Sequence, residues 1–147
     1  MNIDGIQNGY VIDHIRAGRA MTIYRYLGLD RLDCSVAIIK NAKSRRMGRK
    51  DIIKIDELIP VDWEILGYID SDVTVNIIRD DQLAEKKRLT LPERVVNVIR
   101  CKNPRCITQV EQEIDHEFVL ADRDHGTYRC VYCEVAHKSD DKPEFLG

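Results

Sequence analysis

Four of the five cysteines lie in the last third of the sequence, in two closely spaced pairs. The first pair is Cys101-x4-Cys106, and after 23 intervening residues the second is Cys130-x2-Cys133. Short pairs separated by enough chain for a small sheet are typical of metal ligation in a reducing compartment, where disulfides are rare. Four thiolates at about 2.3 Å suit tetrahedral zinc and leave no open coordination position. The spacing therefore predicts one structural zinc ion per chain.

Two alternatives use the same four cysteines, namely a rubredoxin-like iron site and buried thiols without a metal. The histidines that could replace a cysteine are His116, His125 and His137. We expect them to be ordinary surface residues, because four thiolates already complete a ligand set. Cys34 stands apart in the apolar run Cys-Ser-Val-Ala-Ile-Ile, which predicts a buried strand residue and not a nucleophile.

The formal net charge of -2 conceals an uneven distribution. Residues 1–100 carry 17 basic and 15 acidic side chains, whereas residues 101–147 carry 6 and 10. The segment from Lys40 to Lys54 holds seven cations against one carboxylate, that of Asp51. Such a segment attracts phosphate or an acidic partner, and a solvated basic loop is the alternative interpretation.

No catalytic apparatus is recognisable in the sequence. It contains no Gly-rich phosphate loop, nucleophile elbow or carboxylate pair with a clear catalytic spacing, so no active site is predicted. Asp13 and His14 are neighbours in a predicted strand, which places their side chains on opposite faces and excludes a simple acid-base dyad. The 147 residues are 44% hydrophobic and 33% charged, as in a soluble globular protein. Without a long apolar run or a signal peptide, we expect a cytoplasmic protein with no membrane partner.

The first hundred residues alternate predicted strands with two short helices. Strands are predicted at 9–15, 34–40, 50–56 and 73–78, with another near 83–87. A helical apolar pattern runs between Gly18 and Gly28, and a second helix containing Trp63 and Leu66 follows Pro60. The order β-α-β-β-α-β is the ferredoxin-like pattern, an antiparallel sheet with both helices on one face.

The predicted fold class is therefore α+β, in two domains. A ferredoxin-like N-terminal domain spans 1–95, and a small mainly-β zinc domain spans 96–147, with residues 91–100 as the connection and a flexible tail from about 139. In the third strand Ile53 and Ile55 share one face, so Lys54 points to the other, and Asn76 behaves likewise in the fourth. Polar residues are thus expected on the sheet face that the helices leave uncovered, although a solvated strand lysine is the simpler interpretation of Lys54.

Several motifs, in the same order and over nearly the whole chain, match one family. They are Val11-Ile-Asp-His-Ile15, Met47-Gly-Arg-Lys-Asp-Ile-Ile-Lys-Ile55, Thr74-Val-Asn76, Leu91-Pro-Glu-Arg-Val-Val-Asn-Val98, and the four cysteines with Tyr132 and Glu134. The Met-Gly-Arg-Lys-Asp and Leu-Pro-Glu-Arg strings are far more specific than the cysteine spacing. Through these segments the sequence resembles the regulatory chain of aspartate carbamoyltransferase.

The resemblance implies a noncatalytic subunit that binds nucleoside triphosphates in an N-terminal allosteric domain and contacts catalytic chains through its zinc domain. In that family CTP is the feedback inhibitor of pyrimidine biosynthesis, ATP competes with it as an activator, and regulatory dimers bridge catalytic trimers. Carried over by motif, the nucleotide contacts fall on eight positions. These are Asp13 and Lys54 for the ribose and base, His14 and Lys86 for the triphosphate, Asn76 in the same pocket, and backbone groups around Gly5, Ile6 and Val11 for the base edge.

Two features depart from the family pattern. The stretch Arg79 to Glu85 is acidic for a segment that precedes a triphosphate ligand, so Lys86, Lys87 and Arg88 are interchangeable candidates. Which nucleotide inhibits and which activates is left open for the same reason. The tail from Ser139 extends past the usual end of the zinc domain.

A nucleic-acid-binding zinc ribbon is the competing hypothesis. It requires basic knuckles, because phosphate contacts dominate such affinity, whereas residues 101–147 carry 6 basic and 10 acidic side chains. We therefore expect no nucleic-acid partner. A small metalloenzyme would need an open metal position, which four cysteine ligands do not leave.

Overall fold

The computed structural model describes residues 5–139, in two units that divide between Thr90 and Leu91. The elements of the first unit are β1 Gly9–Arg16, α1 Ala20–Tyr26, β2 Val36–Ser44, β3 Gly48–Ile55, α2 Trp63–Ile69, β4 Thr74–Arg79 and β5 Gln82–Arg88. The five strands form one antiparallel sheet in the order β2-β3-β1-β4-β5. This order confirms the ferredoxin-like arrangement, with β5 added at one edge.

The core of the first unit lies between the sheet and its two helices. Ile12 pairs with Ile53 and with Val75, and all three side chains are fully buried. The first helix ends as predicted at Gly28, which adopts a left-handed φ of 69° that favours glycine. The second begins after Asp62, whose carboxylate accepts hydrogen bonds from the backbone N–H groups of Glu64 and Ile65 at 3.1 Å.

The second unit is a small mainly-β structure, as predicted. Its elements are β6 Arg94–Val96, α3 Ile107–Val110, β7 Glu117–Asp122, β8 Thr127–Cys130 and β9 Ala136–Lys138. The strands form a sheet in the order β6-β7-β8-β9 around buried Val95, Phe118 and Tyr128. Because Arg94–Val96 pairs with Glu117–Val119, residues 91–100 contribute a strand to this unit and are not merely a connection. The division accordingly falls at Thr90 and not at the expected residue 95.

The basic segment is a β-hairpin and not a loop. Strand β2 continues to Ser44, a turn spans Arg45 to Met47, and β3 begins at Gly48. The hydroxyl of Ser44 accepts the N–H of Met47 at 3.1 Å and closes the turn. The interpretation as a solvated loop was wrong because most of the cations belong to the two strands of a hairpin. The edge strand β2 is largely exposed on both faces, so its sequence lacks the alternation of apolar and polar residues that predicts a strand.

Two further predictions about single residues are wrong. Cys34 is half-buried and lies in a bend before β2, so it is neither a strand residue nor buried. His137 is only 7% exposed, because β9 places its ring against Phe118 with 4.8 Å between ring centroids. The flexible tail was predicted to begin at about residue 139, and all of it after Ser139 lies outside the described residues. Within residues 5–139 no helix is long and apolar enough to cross a membrane.

Candidate nucleotide site and metal centre

One residue from each strand of the first unit lies in a single row across the sheet. Val11 pairs with Lys54 on one side and with Asn76 on the other, and the row continues to Ala37 and Lys86 at the two edge strands. Directly opposed residues of an antiparallel sheet project from the same face. Three polar residues predicted from widely separated motifs, Lys54, Asn76 and Lys86, therefore share one face of the sheet.

The centre of this face is apolar. Val11 is fully buried and packs in a cluster with Ile6, Ile52 and Ile78. The polar residues expected on this face therefore stand around an apolar cluster that the sequence pattern did not predict, to which the segment before β1 contributes Ile6. Because β1 is paired on both sides, the backbone groups of Val11 belong to the sheet ladders, and its side chain forms an apolar floor between the polar residues.

An open cavity of about 290 Å³ lies at the β2–β3 end of the row. Its lining consists of backbone and small side chains with one ammonium and one carboxylate: Gly5, Ile6, Ser35, Val36, Ala37, Lys54 and Asp56. Three of the predicted nucleotide contacts, Gly5, Ile6 and Lys54, are therefore brought together here. A cavity of this size with several polar groups suits a small polar ring.

A β-bulge shapes the other end of the candidate site. The pairing of β1 with β3 shifts between Ile12 and Ile15, and His14 adopts a φ of 59°. The prediction that Asp13 and His14 project from opposite faces assumed regular alternation along β1. The bulge interrupts that alternation, so the prediction was wrong. Asp13 Oδ1 accepts the His14 backbone N–H at 2.6 Å, and His14 Nδ1 lies 3.1 Å from Thr74 Oγ1.

Three cations surround His14 from three elements. Burial has the largest effect on the pKa of His14 and lowers it, Asp13 raises it, and the charges of Lys50, Arg46 and Lys86 lower it, so the net shift is downward. Burial opposes ionisation of Asp13, but Lys50, whose Nζ lies 2.9 Å from Oδ1, and the His14 N–H outweigh it, so the pKa of Asp13 is lowered. At neutral pH this end thus contains an ionised Asp13, a neutral His14 and three cations.

The structure distinguishes the three candidate cations of β5. Lys87 points to the helix face, where its Nζ lies 5.0 Å from the Trp63 ring centroid. Lys86 pairs with Asn76 and Arg88 pairs with Thr74, so both lie on the face of the candidate site. Asp80 and Asp81 occupy the β4–β5 turn, beyond the Arg79–Gln82 pair, and thus lie at the opposite end of these strands from Thr74. Glu85 lies in β5 opposite Ile77, so it projects from the other face of the sheet than Lys86. The acidic residues of this stretch are therefore either remote from His14 or on the other face.

Sequence reasoning missed three residues at this end, namely Lys50, Arg46 and Thr74. A signal for Lys50 was present, since it precedes Lys54 by four residues in one strand and therefore shares its face. No comparable signal identified Arg46 among five neighbouring cations, because the position of a turn residue depends on the hairpin register.

The four predicted cysteine ligands form one cluster in the second unit. Their Sγ atoms all lie within 4.8 Å of one another, with 3.6 Å between Cys101 and Cys133 and 3.7 Å between Cys106 and Cys130. Sulfur atoms bound at 2.3 Å to a tetrahedral ion would be about 3.8 Å apart. The four residues therefore fit a closed tetrahedral metal site, with no histidine in the cluster among residues 5–139.

Neighbouring groups orient the cysteines and tune their protonation. Thr108 donates a hydrogen bond from Oγ1 to Cys106 Sγ at 3.1 Å, and Gln109 Nε2 donates to the Cys101 carbonyl. Burial raises the pKa of Cys101 and of Cys130. Burial acts likewise on Cys133, but hydrogen bonds from Asn103, the Val135 N–H and the neighbouring thiols outweigh it and lower the pKa to about 7. A metal bound here would displace protons from the other thiols.

The fold and the two candidate sites define a two-domain chain: a small α+β unit with several cations on its open sheet face, followed by a unit whose four clustered cysteines fit a metal ion. Residues 1–90 match the family model "Aspartate carbamoyltransferase regulatory chain, allosteric domain", and residues 93–142 match the metal binding domain of the same chain. The chain is 47% identical to the aspartate carbamoyltransferase regulatory chain of Clostridium botulinum (strain Hall) over 96% of its own length and 97% of the relative. The corresponding chain of Bifidobacterium longum is 42% identical over 94% and 99%.

The chain belongs to the family of aspartate carbamoyltransferase regulatory chains. It is a noncatalytic, allosteric regulatory chain with a metal-binding domain. This assignment decides against the nucleic-acid-binding zinc ribbon considered from the sequence.

Proposed function

We propose that this chain binds CTP and ATP competitively on the open face of its first unit and transmits their binding to aspartate carbamoyltransferase catalytic chains. CTP acts as the feedback inhibitor of pyrimidine biosynthesis and ATP as the opposing activator. The observation that carries this proposal is the row from Ala37 through Lys54, Val11 and Asn76 to Lys86, with the cations around His14 beside it. The base, the ribose and the phosphates need different binding groups. In this proposal those groups follow one another in that order across the open face.

The base is assigned to the cavity at Gly5 and Ile6, where backbone groups read its edge. The Lys54 ammonium, which has donors only, serves the base or the ribose, and the Asp13 carboxylate accepts from a ribose hydroxyl. His14 and Lys86 hold the phosphates, and Lys50 supports them beside Asp13. The site binds without acid-base chemistry on the ligand, as expected of an allosteric effector site.

Zinc is the metal that we assign to the four cysteines. Tetrahedral thiolate sets suit zinc and rubredoxin-like iron, and zinc requires no redox chemistry of a noncatalytic chain. Each chain would hold one ion, through Cys101, Cys106, Cys130 and Cys133, in a structural role. The metal would supply folding energy to a unit whose own core is small.

The second unit is the proposed docking surface for the catalytic chains. Several large apolar side chains are exposed on it: Val96, Ile107, Val110, Val131 and Tyr132. Ile107 follows one cysteine ligand directly, and Val131 and Tyr132 lie between the last two, so the metal site fixes their positions. Exposed apolar side chains that one metal site holds together, as it would Ile107, Val131 and Tyr132, are typical of a protein interface. In the proposed assembly, regulatory dimers bridge catalytic trimers.

The function is tested by mixing the full chain with cognate catalytic trimers and measuring aspartate saturation with CTP, with ATP and with neither. The expected result is a half-saturating aspartate concentration that CTP raises and ATP lowers. The matched control is Lys54→Ala, which should assemble and respond weakly to both nucleotides. Saturation curves that ignore both nucleotides in a verified complex would contradict the proposal.

A further inference from the structure

The turn of the basic hairpin lies close to the phosphate end of the proposed nucleotide site. Strand β3 pairs with β1 from Ile55 down to Lys50, which lies opposite Arg16, and then continues to Gly48 in partnership with β2 alone. The turn Arg45 to Met47 therefore extends past the end of the β1–β3 ladder, at the end that carries the β1 bulge. The proximity of Arg46 to His14 is reflected in its contribution to lowering the pKa of His14.

The cations of this region are not equally available to a ligand. The charge of Lys50 is offset by Asp13 at 2.9 Å, and Arg49 donates from Nη1 to the Asn41 carbonyl at 3.4 Å. Arg46 is exposed, and no carboxylate within residues 5–139 forms an ion pair with it. Within residues 5–139, no ion pair compensates the charge of Arg46, of Lys86 or of Arg88, which lies opposite Thr74. Of these three cations, only Arg46 lies on the hairpin turn.

We propose that Arg46 binds the terminal phosphate of the nucleoside triphosphate, so that the site discriminates among nucleotides by their number of phosphates. The proposal rests on the proposed function and deepens it, because it assigns specificity to one residue of that site. His14 and Lys86 lie on the sheet, where they reach the phosphates nearer the ribose, whereas the turn lies beyond the end of the β1–β3 ladder. A planar guanidinium can donate two parallel hydrogen bonds to one phosphate. In this proposal the third phosphate of a triphosphate extends to the turn and accepts them, whereas the single phosphate of a monophosphate stays near the ribose.

The test is calorimetric titration of the full chain with CTP, CDP and CMP at fixed ionic strength. Arg46→Gln should weaken CTP binding about tenfold or more, weaken CDP binding less, and leave CMP binding within about twofold. The matched control is Arg45→Gln, which removes the same charge from the adjacent turn position and should leave the three affinities within about twofold. Arg46→Lys should recover part of the preference for CTP over CMP.

A second measurement needs no nucleotide. NMR titration of the His14 ring should show a higher pKa in Arg46→Gln and no change in Arg45→Gln, because only Arg46 is expected to lie beside His14. An unchanged pKa of His14 in Arg46→Gln would place Arg46 too far away to share a phosphate chain with His14 and would overturn the assignment. If wild-type protein binds CTP but Arg46→Gln keeps the same ratio of CTP to CMP affinity, the assignment of Arg46 is wrong and the proposed function stands. Equal losses of CTP affinity in Arg46→Gln and Arg45→Gln would show that the turn attracts the nucleotide only through its total charge. This result would also overturn the assignment. If wild-type protein binds no CTP, both proposals fail.

Discussion

The Nζ atom of Lys50 lies 2.9 Å from Oδ1 of Asp13, which ties the basic hairpin to the bulged strand β1. The side chains are 15% and 7% exposed, so neither charge can be fully solvated if the other is removed. The same Asp13 carboxylate accepts the backbone N–H of His14, whose φ is positive. The ion pair therefore helps to hold the bulge that presents His14.

Replacing Lys50 by methionine should lower the free energy of unfolding of the first unit by about 2 kcal/mol, because it leaves the buried Asp13 carboxylate unpaired. Urea unfolding of the full chain, followed by the fluorescence of its single tryptophan, Trp63 in α2, measures this unit. The control is Lys43→Met, an exposed lysine of the same hairpin, with an expected change within about 0.5 kcal/mol.

The loss in Lys50→Met should depend on pH in a defined direction. The pKa of folded Asp13 is lowered from the ordinary 3.8, so the stabilisation is present above that value and disappears as pH falls through the folded pKa. The difference between wild type and variant should therefore persist at pH 7 and shrink below about pH 4. A difference independent of pH would show that the ion pair is not its cause.

Lys54 and Lys87 are strand lysines of one sheet on opposite faces, which makes them a matched pair. Lys54→Ala should weaken CTP binding about tenfold, because an ammonium that donates to the ligand is lost. Lys87→Ala should leave CTP affinity within about twofold, since Lys87 lies over Trp63 on the helix face. Calorimetry measures both, with metal content and assembly as controls. Unchanged affinity in Lys54→Ala would remove that residue from the site.

Nucleotide affinity should increase as pH falls from about 8 to 6. The pKa of His14 is lowered by burial and by Lys50, Arg46 and Lys86, and a bound triphosphate would neutralise those cations and raise it. Binding should therefore take up protons. Calorimetry of CTP binding in two buffers of different ionisation enthalpy measures that uptake, and His14→Asn separates it from titration of the nucleotide itself. Equal proton uptake by wild type and variant would contradict the assignment of His14.

Loss of one cysteine ligand should abolish the metal centre. Cys130→Ser should lose the bound zinc and the ability to assemble with catalytic trimers, because metal binding and folding of such small units are coupled. The matched control is Cys34→Ser, in the other unit, which should keep one zinc per chain. Elemental analysis and gel filtration with catalytic trimers measure both properties. Metal-free Cys130→Ser that still assembles would exclude a structural metal.

Much of the fold followed from the sequence because its strands have a strong period of two. Ile53 and Ile55 flank Lys54 so regularly that the face of the lysine was predictable. The paired spacings of the cysteines likewise predicted which four would cluster, before any fold was known. The bulge at His14 was not predictable, because no glycine marks it and its conformation depends on pairing with two strands at once. The β2–β3 hairpin was misread for a related reason: β2 is a sheet edge whose faces are both largely exposed.

The central claim is that the nucleotide site of the first unit is coupled to the active sites of the catalytic chains. Thermodynamic reciprocity relates the two sites. If a nucleotide changes the affinity for an active-site ligand by some factor, that ligand must change the affinity for the nucleotide by the same factor. The direct measurement is a CTP titration of the assembled complex with and without a saturating bisubstrate analogue. The account predicts a larger dissociation constant for CTP, that is, weaker CTP binding, when the analogue is bound. Identical dissociation constants in a complex of verified composition would contradict it.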